Sequence, residues 1–195
     1  MRSRTGKAKI EYDSGEVYEG LILDGEPHGE GKMTWPDGRV YEGEFKDGKR
    51  NDNGKYKLVN GDEYNGMFKD DKGHGRGTYK YHNGDVYEGD WVKGVREGNG
   101  KMTCANGDVY EGQFKNDASH GEGTHTWPFG EVYKGNWKNE NMHGEGTYTW
   151  PDGDVYEGLF ADDNMHGEGT RTYANGDVFN GVWKNDNKHN MALES

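Results

Sequence analysis

Six histidines recur at multiples of a 23-residue step, and imidazoles in such a row could bind a metal ion or sense pH. They are His28, His74, His120, His143, His166 and His189. Ligands two strands apart would lie about 10 Å from each other, which is too far for one metal ion. The sequence also contains no HExxH motif and no pair of cysteines. We therefore interpret the row as turn histidines that hold hairpin geometry, and we predict no metal site and no cofactor.

Two further patterns, the Gly-x-Gly pairs and the acidic clusters, resemble ligand-binding motifs but lack the surrounding residues that such motifs require. Gly-x-Gly pairs such as Gly121–Gly123 resemble phosphate-binding loops, but no strand–loop–helix pattern surrounds them. The acidic clusters at Asp70-Asp71 and Asp162-Asp163 lack the spacing and the distal Glu of an EF-hand. No Ser/His/Asp or Cys/His set stands out. The sequence therefore predicts no catalytic residue, and we do not expect an enzyme.

Composition limits the partners and the compartment. The formal net charge of −12 argues against nucleic acid, which requires clustered Lys and Arg, and against purely electrostatic membrane attachment. The single cysteine, Cys104, excludes an intramolecular disulfide and fits a reducing compartment. No apolar segment resembles a signal peptide or approaches the ~20 residues of a membrane span. We expect a soluble, cytoplasmic protein.

The elements that must position these residues repeat with the same 23-residue step. The repeated tyrosines are Tyr18, Tyr41, Tyr64, Tyr87, Tyr110, Tyr133 and Tyr156, with Phe179 in the eighth copy. A glycine follows two residues after each, and an aromatic residue follows two later in every copy except at Ile22. A fixed period of this length indicates a repeat architecture.

Each repeat is predicted to be a β-hairpin. In the fifth copy, alternation places Tyr110, Gly112 and Phe114 on one face of a half-buried strand. Turn-forming residues follow, and the return run from His120 to Trp127 alternates again. Asn-Gly or Asp-Gly at the junctions between repeats is a strong hairpin signal, because both residues tolerate positive φ. The glycine pairs lie between ring-bearing positions, so we predict that rings cover their bare backbone.

The fold class is therefore all-β: an elongated, twisted, single antiparallel sheet of tandem 23-residue β-hairpins, with roughly 16 strands. We expect one array over residues 6–184. It comprises a half-unit at 6–15, seven full units over 16–176 and a half-unit at 177–189, followed by a short tail at 190–195. The strand from Asp177 to Lys184 is expected to lack its return strand.

The motif Tyr156-Glu157-Gly158-Leu159-Phe160, followed by His166-Gly167-Glu168-Gly169-Thr170, resembles the MORN (membrane occupation and recognition nexus) repeat. The resemblance covers nearly the whole chain. It implies a twisted sheet of successive hairpins without catalytic activity of its own. Members of the family serve as scaffolds and adaptors in cytoskeletal and ciliary structures, or as targeting segments fused to enzymes.

No amphipathic helix is available to cover the aromatic face, and open apolar surface usually marks an interaction site. The first hypothesis is a non-enzymatic scaffold that binds a helix or an extended peptide of a protein partner along an aromatic–glycine groove, at a cytoskeletal or ciliary structure. The predicted partner-binding residues are Tyr87, Trp91, Tyr110, Phe114, Trp127, Tyr133 and Trp137.

Two alternatives remain at the level of the sequence. A lysine row on one repeated strand position could contact acidic phospholipids, although glutamates four residues earlier offset much of its charge. The row comprises Lys46, Lys69, Lys115, Lys138 and Lys184. The chain could also be a targeting segment of a larger enzyme. Unpaired sheet edges at the two ends further predict self-association, either head-to-tail or as a homodimer through one end, which the family resemblance favours.

Overall fold

The structure is a computed structural model that describes residues 4–189. These residues form 17 strands and no helix, and the strands belong to one antiparallel sheet. The predicted all-β fold of tandem hairpins is thereby confirmed. Nowhere in this range does a helix reach the length and apolarity needed to cross a membrane.

The chain divides into two compact units between Arg96 and Glu97. The first unit contains β1 (Thr5–Glu11), β2 (Val17–Leu23), β3 (Glu26–Thr34), β4 (Val40–Lys46), β5 (Lys49–Lys57), β6 (Glu63–Lys69), β7 (Lys72–Lys80) and β8 (Val86–Val92). The second contains most of β9 (Val95–Thr103), then β10 (Val109–Lys115), β11 (Ala118–Thr126), β12 (Val132–Lys138), β13 (Asn141–Thr149), β14 (Val155–Ala161), β15 (Asn164–Thr172), β16 (Val178–Lys184) and β17 (Asn187–His189).

Consecutive strands pair antiparallel along each unit, from β1 to β8 in the first and from β9 to β17 in the second. The register is the same in six of the within-repeat hairpins. Glycine faces glycine at the centre of each of these six, as Gly112 faces Gly123 between β10 and β11. The fixed period of the sequence therefore gives a fixed register in the sheet.

Six of the within-repeat hairpins contain a bulge, and this feature accounts for the first glycine of the Gly-x-Gly pair. In the fifth repeat the register shifts between Gly112 and Phe114. Gly121 lies in the bulge with φ of +63°, a left-handed conformation that favours glycine. Five of the six histidines of the row immediately precede this glycine, as His120 does here. The interpretation of the row as turn residues is therefore wrong, because these five lie in the bulge of the return strand and His189 lies in β17.

The second glycine of the pair is required by a ring. A Cβ atom added at Gly123 would lie 2.4 Å from the Tyr110 hydroxyl oxygen, which is well inside contact distance. The prediction that rings cover the bare backbone is confirmed at this position. It does not account for Gly121, where the nearest side chain is that of Gln113.

The turns between repeats and the turns within repeats differ in their backbone conformation. The sequence predicts two successive positive-φ residues at the Asn-Gly and Asp-Gly junctions, but the structure has them in the turns within the repeats. At the junctions only the glycine has positive φ, as at Gly107 with +100°, while Asn106 does not. The Gly107 N–H donates to the Cys104 carbonyl at 2.9 Å, which is a type I turn closed by a left-handed glycine. Two successive positive-φ residues lie instead within the repeats, for example Asn116 (49°) and Asp117 (68°).

The last half-unit differs from its prediction. The strand from Asp177 to Lys184 was expected to lack a return strand, but β17 pairs with β16, with Lys184 facing Asn187. Asn185 and Asp186 have φ of 48° and 64°. They form the same tight turn as in the other repeats, and this turn starts a return strand. The predicted tail at 190–195 lies outside the described residues.

Candidate protein-binding surface

The tyrosine of each repeat is the centre of a buried cluster. Tyr110 donates its hydroxyl hydrogen to the Gln113 carbonyl at 2.8 Å, and its ring meets those of Phe114 and Trp137 edge-on, with centroids 5.1 and 5.2 Å away. Burial raises the pKa of Tyr110 to about 12, against a smaller opposing effect of a backbone hydrogen bond. The tyrosine therefore stays neutral and hydrogen-bonded in the folded chain.

Tryptophan in the second aromatic position adds a hydrogen bond to the preceding hairpin. Trp137 Nε1–H donates to the Gly123 carbonyl at 3.2 Å, and Trp183 does the same to Gly169 at 3.1 Å. Phenylalanine at this position, as in Phe114, packs the same way without a polar group. These side chains hold one hairpin to the next.

Six of the seven predicted partner-binding residues belong to these clusters. Tyr87, Trp91, Tyr110, Phe114, Tyr133 and Trp137 are each at most 7% exposed. Tyr110, Phe114, Tyr133 and Trp137 share edge contacts within the second unit, and Tyr87 contacts Trp91 in the first. Only Trp127 of the predicted set is half-buried. Partner binding by this set stays a prediction, with Trp127 offering the open surface.

Trp127 belongs to a second aromatic row that the sequence reasoning did not single out. In the second unit, the imidazole of His125 stacks on Trp127 with centroids 4.2 Å apart and planes at 8°. Trp127 contacts Tyr148 at 5.5 Å, and Tyr148 contacts Trp150 at 4.6 Å. All four side chains are half-buried. We call these four residues the aromatic ladder. The sequence contains a signal for this ladder, because positions 125 and 148, and positions 127 and 150, are also separated by the 23-residue step.

An exposed ring lies next to the ladder in sequence. Phe129 is 85% exposed in the turn that follows Trp127, at a position where six of the other seven junctions carry Asp or Asn and the first carries Ser14. Arg171 extends the row, with its guanidinium 4.2 Å from the centre of the Trp150 ring. The second unit therefore combines half-buried aromatic side chains with one exposed phenyl ring two residues after Trp127 in the sequence.

Partly buried carboxylates accept hydrogen bonds from residues of the second aromatic row and its neighbours. Asp154 accepts hydrogen bonds from Arg171 at 2.7 Å and from the Ala174 N–H at 2.9 Å. These bonds, first that from Ala174 and then that from Arg171, lower the pKa of Asp154 against its partial desolvation. In the first unit Asp62 accepts from the Tyr79 hydroxyl at 2.7 Å.

The third pair consists of a histidine and a carboxylate, His125 and Asp108. His125 Nε2 lies 3.7 Å from a carboxylate oxygen of Asp108. Burial lowers the pKa of His125, while the neighbouring Asp108 charge opposes the shift. The imidazole is thus held neutral on the face of Trp127 at physiological pH.

The opposite face of the second unit carries a groove of about 900 Å³. Its floor is a line of backbone from consecutive strands at Gly112, Gly123, Gly135, Gly146 and Gly158. Glu111, Glu122, Lys134, Glu145, Leu159 and Glu168 stand among its walls. They alternate along their strands with the glycines that face the tyrosine rings, so they point away from the aromatic face.

The predicted lysine row is exposed at all five positions, each at the last residue of its strand. In the histidine row, His28, His120 and His143 bury Nδ1 without a hydrogen-bond partner. Across residues 4–189, no group of three or more His, Cys, Asp or Glu side chains is placed to hold a metal ion. The candidate binding surfaces of the second unit are therefore the aromatic ladder and the groove on the opposite face.

The fold and its surfaces define a class of protein: tandem 23-residue β-hairpins that present one aromatic face and one charged face. The chain belongs to the MORN-repeat family, whose model matches residues 18–38, 41–63, 64–86, 87–109, 110–130, 133–155 and 156–178. The matches confirm the family resemblance of the sequence motifs. No curated protein sequence matches.

Two solved structures share the fold at low sequence identity. The TCP domain of Drosophila melanogaster SAS-4 (dCPAP), in complex with a proline-rich motif of Ana2, is 12% identical with a TM-score of 0.50, covering 91% of this chain and 90% of that domain. The G-box domain of the microcephaly protein CPAP, whose structure suggests a role in centriole elongation, is 13% identical with a TM-score of 0.52, covering 92% and 100%. At these identities the likeness concerns the fold.

Proposed function

We propose that this protein is a non-enzymatic scaffold or adaptor that binds a helical or extended segment of a protein partner on the aromatic face of its sheet. The observation that carries the proposal is the aromatic ladder, together with the exposed ring of Phe129 two residues after Trp127 in the sequence. Half-open aromatic side chains held rigidly by their neighbours are typical of binding hot spots, because little conformational entropy is lost when a partner covers them. The aromatic ladder is also an uncharged surface on a chain whose net charge is −12.

The similar structures support this proposal at the level of the fold. The SAS-4 TCP domain is described in complex with a proline-rich motif of Ana2, which supports peptide binding by a domain of this fold. Proline-rich segments bind through aromatic surfaces in other recognition domains. The cytoskeletal or ciliary location is part of the same proposal and is supported by the centriolar role suggested for the CPAP G-box domain.

The test is a selection of peptides from a random display library against the full chain, followed by affinity measurements on two variants. Phe129→Ser removes an exposed ring without disturbing packing, and Trp127→Ala opens the ladder. We expect selected peptides to lose roughly tenfold or more in affinity with either change, as for truncated hot spots. The control is Val59→Ser, which removes another exposed apolar side chain, 64% exposed, in the first unit.

Selected peptides that bind both aromatic variants as tightly as the unaltered chain would contradict the proposal.

The lipid alternative is tested by co-sedimentation with phosphoinositide vesicles at physiological salt. Binding there that is lost when the lysine row is replaced by glutamine would favour a membrane-associated module. Self-association through an end is a separate part of the proposal, and light scattering at high micromolar concentration checks it: a strict monomer would exclude the homodimer.

A further inference from the structure

We propose that the groove on the charged face of the second unit binds a cationic protein segment in extended conformation, with a basic side chain at every third residue. This is a second site on the face opposite the aromatic ladder, and it does not depend on the ladder binding a partner. Three observations carry it: the composition of the groove, its width, and the spacing of its carboxylates.

The groove has an excess of carboxylates that no side chain of the described residues neutralises. Glu111, Glu122, Glu145 and Glu168 line it together with one cation, Lys134. All five are exposed, and none makes an ion pair within the described part of the chain. A ligand for this groove must therefore bring positive charge.

The equivalent groove of the first unit differs in this respect. It has about 530 Å³ and is lined by both Lys7 and Lys32 among its glutamates. Lys32 pairs with Glu42 at 2.8 Å, and Glu19 pairs with Lys9 at 3.8 Å. Two of its three glutamates are thus paired within the chain. Three glutamates and two lysines line this groove, whereas four glutamates and one lysine line that of the second unit, so the second has the larger uncompensated negative charge.

The width of the groove favours an extended ligand over a helix. Its two walls are side chains two residues apart on each strand, such as those that flank Gly123, and two residues span about 6.7 Å. A helix with side chains is about 10–12 Å across and would rest on the walls without reaching the floor. An extended chain fits between them. Leu159 on the wall is 40% exposed and provides apolar contact for the body of such a chain.

The spacing of the carboxylates predicts the spacing of the cations. Glu122, Glu145 and Glu168 come from β11, β13 and β15, which are alternate strands of the sheet. Strands lie about 4.8 Å apart, so these carboxylates repeat at about 10 Å. A polyproline II segment rises about 3.1 Å per residue with three residues per turn. Every third side chain therefore points the same way at about 9 Å, in step with the glutamates.

The experiment uses a fluorescent peptide of four Lys-Pro-Pro triplets and the full chain, with anisotropy read at low and at physiological salt. The reference peptide has the same composition with its four lysines consecutive. We expect the triplet peptide to bind more tightly than the reference. The double substitution Glu145→Gln/Glu168→Gln should weaken it roughly fivefold, the size expected for two exposed ion pairs.

The matched control is Glu140→Gln/Asp162→Asn, which makes the same change in net charge at exposed turn positions of the same unit. It should leave the affinity within about twofold. Equal weakening by the two pairs, equal binding of the two peptides, or no binding at low salt would overturn the inference. Phe129→Ser should not change this affinity, so failure of the aromatic site and failure of this groove are distinguishable.

Discussion

At the scale of the residue, the structure is organised by contacts between a tyrosine ring and a glycine backbone. Tyr18 is fully buried, and a Cβ added at Gly31 would lie 2.4 Å from Cε2 of that ring. The ring can cover the strand only because the side chain is absent. Glycine, usually unfavourable in a strand, is here the residue that allows the core to form.

The first prediction follows from this contact. Gly31→Ala should destabilise the protein by about 1–3 kcal/mol, because the ring must shift to admit the methyl group. The control is Gly6→Ala in the same unit, where an added Cβ meets nothing within 4 Å and φ is not positive. That change should alter the free energy of unfolding by less than about 0.5 kcal/mol. Urea unfolding followed by tryptophan fluorescence compares the two, and equal effects would contradict the packing argument.

At the scale of the element, the hairpin depends on two left-handed residues at its tip. Asn139 and Glu140 have φ of 50° and 73°. Asparagine tolerates this conformation, whereas glutamate does so less readily. Other repeats place glycine at the second position, as at Gly48, with φ of +76°. The Glu140 N–H donates to the Ser119 carbonyl at 3.0 Å, which any residue except proline can do.

The second prediction is that Glu140→Gly stabilises the protein by about 0.5–1 kcal/mol. Relief of left-handed strain, about 1–2 kcal/mol, exceeds the added freedom of glycine in the unfolded chain, about 0.5–1 kcal/mol. Glu145→Gly, a change of the same residue types within β13, should instead destabilise. Thermal unfolding of both variants gives the signs. A lower midpoint for Glu140→Gly would show that the turn is not strained.

The sequence predicted the hairpins well because period-two alternation and a fixed repeat determine both the strand pairs and the buried tyrosines. It predicted less well where two backbone geometries suit the same residues. Asn106-Gly107 fits a turn with one or with two positive-φ residues, and only the structure distinguishes them. Alternation places His125 and Trp127 on one face of their strand, but it does not show that their rings stack into a ladder. Their stacking depends on side-chain rotation, which alternation does not specify.

At the scale of the whole molecule, the repetition of one buried group multiplies its effect on stability. Seven tyrosines occupy the same position in successive repeats, and all are less than a tenth exposed. Burial raises the pKa of Tyr64, Tyr110 and Tyr156 to about 12 in each case. Burial also raises the pKa of Tyr41 and Tyr133. The unfolded chain ionises its tyrosines near pH 10.

The third prediction is a steep loss of stability in alkali. Below about pH 10 these tyrosines are neutral in both states and contribute no pH dependence. Between about pH 10 and 12 only the unfolded state loses its protons, so each such tyrosine lowers the free energy of unfolding by up to ~1.4 kcal/mol per pH unit. Several tyrosines act together, and the chain should therefore unfold within this window. Tyrosinate absorbance and the circular dichroism of the sheet should then change at the same pH.

The variant Tyr110→Phe separates ionisation from packing. It retains the ring but leaves the Gln113 carbonyl without its hydrogen bond, so it should be about 1 kcal/mol less stable at neutral pH. It also has one fewer buried group to ionise, so its stability should fall less steeply above pH 10. Phe179, which occupies the equivalent position in β16, shows that the site accepts phenylalanine. Ionisation of all 13 tyrosines near pH 10 with the sheet signal intact would mean that the seven buried hydroxyls reach solvent in the folded protein, and this would contradict the prediction.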